Sequence, residues 1–202
     1  MPADDPSTAR STSELVQNTK ALLQEKAVLV LDEPVELASG QMSDRFVDGK
    51  AGLAAAPDLR LACSAIVALV DDEGIEFDAA GGMTLGADHL AVGVALATDR
   101  SWFFVRKEPK SRGTARQIEG ATVGPGVRVL VVEDAVSTGG SMFQAIDVIA
   151  ETGAEIVAAA TLIDRGGGAV GAMAERGIPY FPIATHIDLG MAPVSPASGI
   201  GA

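Results

Sequence analysis

The stretch that decides the fold is Val127-Arg-Val-Leu-Val-Val-Glu-Asp-Ala-Val-Ser-Thr-Gly-Gly-Ser-Met-Phe143. Val127 to Val132 is a β-branched run of the kind a buried strand uses. Two acids, Glu133 and Asp134, stand at its carboxyl end. A loop of small residues follows (Ala135, Val136, Ser137, Thr138, Gly139, Gly140), and from Ser141 to Thr152 the spacing predicts a helix. Ligands of open α/β sheets sit at the carboxyl ends of strands. There the glycines let backbone N–H groups approach an anion, and the helix N-terminus adds partial positive charge. A triphosphate-binding loop would carry a Lys here, and this loop has none. Glu133 and Asp134 instead suit the two hydroxyls of a ribose, or a Mg2+ held partly through water. The plainer alternative is a strand–turn–helix junction in which Asp134 only caps the helix.

Outward from this stretch, strands and helices alternate. Ser13–Lys26 and Ala55–Val70 have helical spacing, and Val28–Leu37 reads as a strand followed by a turn. Phe77–Gly82 reads as a strand running into a glycine loop, Ala87–Ala97 as a helix, and Ser101–Arg106 as a strand. Lys107–Gly126 lacks periodicity and reads as a long loop or small hairpin. Ile156–Asp164, Ala169–Arg176 and Pro179–Ala184 then give strand, helix, strand. Such alternation implies βαβ units and a mostly parallel sheet of about five strands, flanked by helices: an α/β fold. Residues 1–12 are expected to fray, 13–190 to form one domain with a hood over about 13–50, and 191–202 to be a flexible tail.

The chain has 202 residues, a formal charge of −12 and 4% aromatics. So acidic a surface argues against nucleic-acid and anionic-membrane partners. Five of its 15 Lys and Arg residues nevertheless lie between 106 and 116. The lone Cys63, in the apolar run Leu61–Leu69, excludes an internal disulfide and reads as core packing. Neither a secretory signal nor a run long enough to span a membrane is visible, so a cytoplasmic location is expected.

Two further segments carry chemistry. Trp102-Phe-Phe-Val-Arg-Lys-Glu-Pro-Lys-Ser-Arg-Gly113 is an apolar strand entering a basic loop, whose charges would be unhelpful unless they met an anion. A mobile loop of that kind can close over a bound group and exclude water. Ala80-Gly-Gly-Met-Thr-Leu-Gly-Ala-Asp88 could form a backbone nest with Thr84, although a lone glycine turn is more often structural. His89 and His186 lack partner patterns and read as structural.

By these segments the chain resembles the type I phosphoribosyltransferases, and the orotate phosphoribosyltransferases among them. The acid pair followed by Thr138-Gly-Gly-Ser141 resembles their signature for phosphoribosyl pyrophosphate (PRPP). Arg106, Lys107, Glu108, Lys110 and Gly113 match their catalytic loop, with Arg112 where the family usually has His; Arg keeps the charge but donates no proton near neutral pH. Residues 81–88 look like their pyrophosphate loop. The resemblance implies catalytic roles for Lys110, Arg106, Lys107 and Arg112. It implies PRPP binding by Glu133, Asp134, Ala135, Val136, Ser137, Thr138, Gly139, Gly140, Ser141 and Thr84. Base binding would fall to Arg165, Ser137 and Phe46, with Mg2+ carried through PRPP. Arg45 stands where the family often has an aromatic beside Phe46, and Ala38 where some members have a Lys.

The expected reaction is Mg2+-dependent transfer of phosphoribose from PRPP to orotate, in a homodimer whose basic loop reaches the neighbouring site. One rival keeps the fold and changes the base. Another is a PRPP- or nucleotide-sensing regulator without turnover; it should lack the basic loop or carry a DNA-binding extension, and this chain has the loop.

Overall fold

The computed structural model describes residues 10–36, 42–109 and 117–194. Helix α1 (Thr12–Lys26) opens on a capping box in which Ser11 and Glu14 satisfy each other's backbone N–H groups, so order begins inside the stretch expected to fray. Strands β1 (Val28–Glu36) and β2 (Met42–Val47) form an antiparallel hairpin, with Val28 opposite Val47 and Leu29 opposite Phe46. A four-residue helix, α2 (Gly49–Gly52), follows, N-capped by Asp48. These pieces are the hood.

Helix α3 (Ala56–Asp72) leads to a six-stranded sheet. Its members are β3 (Ala79–Met83), β4 (Ser101–Val105), β5 (Ile118–Gly120), β6 (Arg128–Val136), β7 (Glu155–Asp164) and β8 (Tyr180–Thr185), in spatial order β5-β4-β3-β6-β7-β8. All neighbours run parallel except β5, which pairs antiparallel with β4. The expectation of about five parallel strands holds, and β5 closes the small hairpin foreseen in 107–126. The connecting helices are α4 (Asp88–Thr98), α5 (Gly140–Glu151) and α6 (Ala169–Glu175).

Helices cover both faces, so the central strands are apolar on both sides. Along β6, Leu130 and Val132 join Leu23, Ile66 and Leu90 under α1, α3 and α4. Val129 and Val131 join Met142, Ile149 and Met173 under α5 and α6. From β3 the chain steps outward to β4, then returns to β6 on the other side of β3. The order therefore reverses between β3 and β6, which opens a crevice at their carboxyl ends.

Two local expectations change. Gly81 and Gly82 lie inside β3 rather than in a loop, because the neighbouring strands leave no room: a Cβ on Gly81 would sit 2.5 Å from the Phe103 ring, and one on Gly82 2.1 Å from the Val132 oxygen. The tail is not loose from Met191. Met191 and Val194 are buried, and the Val194 N–H donates to the Arg165 carbonyl over 2.8 Å.

Candidate active site

The crevice is built around the acid pair. Glu133 and Asp134 are buried at 4% and 9% exposure, although β6 continues past them to Val136. Three elements close on the pair. From β7, the Thr161 hydroxyl donates to the Glu133 carbonyl at 3.0 Å and fixes the strand. From the turn after β3, Gly86 abuts both acids: a Cβ there would lie 2.0 Å from Glu133 Oε1 and 3.0 Å from Asp134 Oδ1. Only glycine fits. From the hood, Gly49 packs against the Asp134 side chain and Lys50 Nζ donates to Asp134 Oδ2 at 2.8 Å. Asp134 Oδ1 also accepts the Ala135 N–H at 2.7 Å, so this carboxylate is held by its own strand and does not cap α5.

Burial, and then the neighbouring Asp134 charge, push the Glu133 carboxyl well above the usual carboxylate range. The hydrogen bond to Asp134 raises the Lys50 ammonium, which stays charged. His89, at the start of α4, is lowered mainly by burial, against the opposing pull of Asp134; its Nε2 is buried without a hydrogen-bond partner. Lys50 and Gly49 form part of the site that motif reading missed, whereas Gly86 lies in the glycine segment it singled out. The signal available for Lys50 was only a lone Lys after Asp48-Gly49, which has meaning once the hood folds over β6.

Downstream, Thr138, Gly140 and Ser141 are exposed around the start of α5. Gly139 caps that helix in the left-handed region (φ 87°), with no side-chain cap and no acid in the first turn. A helix N-terminus of this kind favours an anion. In the turn after β3, the Thr84 N–H donates to the Val105 carbonyl and its hydroxyl to Asp88 at 2.9 Å, bonds that anchor the turn whose Gly86 abuts the acid pair.

Arg165 follows β7 and is 5% exposed. Burial lowers its pKa, its Nε has no hydrogen-bond partner, and it forms no ion pair among the described residues. An unpaired buried guanidinium is costly unless an anion reaches it. The loop after Arg165 rests on the loop after Asp134, since a Cβ on Gly167 would meet the Ser137 oxygen at 1.9 Å. Arg165 and Ser137 thus border one crevice.

The basic segment is rooted at the sheet edge. Arg106 and Gln117 close it through N–H to carbonyl and amide to carbonyl bonds of 2.8 and 2.9 Å, the Arg106 guanidinium pairs with Glu119 at 3.1 Å, and Gln144 of α5 donates to the Lys107 carbonyl. Lys110, Arg112 and Gly113 lie outside the described residues, as do Ala38, Ser39 and Gly40. Phe46 is 43% exposed, on the opposite face of β2 from Arg45 and Val47. The Arg45 guanidinium points inward and donates to the Leu189 carbonyl at 3.4 Å. It ties the hood to the C-terminal segment beside a second tie, Lys20–Asp188 at 2.8 Å.

Among the described residues, no group of three or more His, Cys, Asp or Glu side chains could hold a metal unaided. No helix among them is long and apolar enough to cross a membrane.

Comparison with known proteins gives this geometry a context. Residues 84–174 match the model of the phosphoribosyl transferase domain. The chain is 42% identical over 147 residues to an orotate phosphoribosyltransferase of Pyrococcus furiosus, covering 73% of this chain and 80% of that protein. It is 38% identical over 168 residues to the one from Corynebacterium glutamicum, covering 82% and 90%. Its fold is similar to the Mycobacterium tuberculosis orotate phosphoribosyltransferase crystallised with Fe(III) dicitrate (TM-score 0.75, 34% identity, 88% of this chain and 99% of that one). A crystal structure of the same enzyme with PRPP gives a TM-score of 0.72 at 31% identity, with the same coverage.

Proposed function

The chain belongs to the orotate phosphoribosyltransferase family, and from that premise we propose how its residues carry the reaction. The enzyme converts orotate and PRPP to orotidine 5'-monophosphate and pyrophosphate. The observation that carries the assignment of roles is the crevice between β3 and β6, where a buried acid pair, a glycine turn and an uncapped helix N-terminus meet.

Glu133 and Asp134 hold the ribose hydroxyls. Ala135, Val136, Ser137, Thr138, Gly139, Gly140 and Ser141 cradle the 5-phosphate with backbone N–H groups and hydroxyls at the start of α5. Thr84 and the turn it opens receive the diphosphate. Arg165 takes the orotate carboxylate, for which a fork of donors without a counter-ion is suited. Ser137 and Phe46 complete the base subsite.

Mg2+ is the proposed cofactor. The donor set fits it: two adjacent carboxylates offer hard oxygen ligands, too few for a closed cage, which suits an ion that arrives with a phosphorylated substrate and keeps its waters. Bound there, it would neutralise negative charge on the leaving diphosphate. The chain's own contribution is positioning and electrostatics. Arg106, Lys107, Lys110 and Arg112 surround the departing diphosphate and exclude water as the basic loop closes.

The loop serves the neighbouring protomer's site in a homodimer. Support comes from its root at the β4–β5 edge, separated from the acid pair on β6 by β3. The test is pyrophosphate release from PRPP and Mg2+ with a panel of free bases. Release with orotate, lost in Lys110→Ala, is expected. Release with a purine alone, or none despite PRPP binding, overturns the reading.

A further inference from the structure

We propose that Lys50 is a further diphosphate-binding residue of this site, its ammonium passing from Asp134 to the diphosphate of PRPP when substrate binds. This rests on the function proposed for the crevice.

Three observations point there. The first is the contact: Lys50 Nζ lies 2.8 Å from Asp134 Oδ2, the outer oxygen of a carboxylate whose Oδ1 faces the Gly86 turn. The ammonium and the turn therefore flank one acid. The second is freedom of movement. The Lys50 side chain is 55% exposed and the Asp134 side chain 12%, so the acid is fixed while the long, flexible lysine can swing. Its backbone is anchored by the Asp48 cap and by Gly49 packed against Asp134. The third is charge. Asp134 and Asp48 both lie close enough to act on the Lys50 ammonium, and an incoming diphosphate is repelled by such acids unless a cation offsets them.

Ligand-free, the ammonium neutralises Asp134. Once that carboxylate engages the ribose hydroxyls, the nearest anion is the diphosphate, carried on the carbon next to the 2-hydroxyl. The 5-phosphate lies at the other end of the sugar, toward α5. Lys50 is thus placed for one substrate half and not the other.

The alternative is that Lys50 merely pins Asp134, and the two roles separate by ligand. Calorimetry would measure binding of PRPP, pyrophosphate (both with Mg2+) and orotidine monophosphate to wild type, Lys50→Ala and Lys50→Arg. Loss of a charge-assisted contact predicts that Lys50→Ala weakens PRPP and pyrophosphate about tenfold or more, with recovery in Lys50→Arg. Orotidine monophosphate, which lacks the diphosphate, should bind unchanged. Equal weakening of all three ligands would show a pin and overturn the proposal, as would no change in any. Wild-type protein that binds neither PRPP nor orotidine monophosphate overturns the family-based reading itself. Matching circular dichroism of the variants excludes misfolding as the cause.

Discussion

Gly167 sets its α-carbon against the carbonyl of Ser137, so closely that a Cβ at Gly167 would lie 1.9 Å from that oxygen and 3.2 Å from the Thr138 α-carbon. The loop after Arg165 and the loop after Asp134 therefore share a wall, which joins the proposed base subsite to the phosphoribosyl subsite. Gly167→Ala must push the two loops apart. Overpacking of this kind costs about 1–3 kcal/mol, and here the displaced atoms are the ligand-binding backbone. Steady-state kinetics should show KM raised for both orotate and PRPP. A rise confined to one substrate would contradict the shared wall.

Arg165 is the buried cation without an ionic partner among the described residues. Replacing it with Gln removes a charge that the ligand-free fold must desolvate, so the melting temperature should hold or rise. Orotate KM should rise by about 10- to 100-fold, the worth of a hydrogen bond to a charged group, with PRPP binding retained. Arg165→Gln that melts early and leaves orotate KM alone would assign the residue to structure.

Glu133 gives a pH dependence of definite sign. Its carboxyl is raised in the folded protein to about 8, chiefly by burial and then by Asp134. The folded state thus binds the proton more tightly than the unfolded chain, and by linkage stability falls as pH rises from the ordinary Glu range toward the raised folded value. Glu133→Gln has no such proton to lose. Ligand-free, its melting temperature relative to wild type should climb between about pH 5 and pH 8, by the equivalent of about 1 kcal/mol or more. A constant offset across that range would show that Glu133 is not perturbed.

Burial also pushes the Cys63 thiol up to about 12, and its Sγ sits against α4 beside Leu90 and Gly93. A thiol reagent at pH 8 should leave the native protein unlabelled and label one thiol per chain in denaturant. Rapid native labelling would contradict the packing of α3 on α4.

The order of strands and helices was legible because both periodicities are strong in the aliphatic segments, and β6 with its acid pair stood out as a strand meeting a glycine loop. Short elements were harder. Strand β5 is three residues and α2 four, too few for a period to show. Gly81-Gly82 reads locally as a turn, yet it is strand because Phe103 and Val132 press on it, a tertiary cause that no local pattern carries. The same holds for the site. Glu133, Asp134 and the start of α5 announce themselves by sequence neighbours, whereas Lys50 reaches Asp134 across 84 residues of chain. Strand alternation also sets Phe46 and Arg45 on opposite faces of β2, with Arg45 donating to the Leu189 carbonyl, a contact that only the folded hood reveals.

The acid pair on β6, in the crevice between β3 and β6, is assigned to the transfer of phosphoribose to orotate. The direct measurement is the rate of orotidine monophosphate formation from orotate, PRPP and Mg2+, in wild type and in Asp134→Asn. Wild type should turn over steadily, with one pyrophosphate released per nucleotide. In Asp134→Asn, loss of a transition-state contact should lower the rate about 100-fold or more. No product from the wild-type enzyme, or an Asp134→Asn variant as fast as wild type, would contradict it.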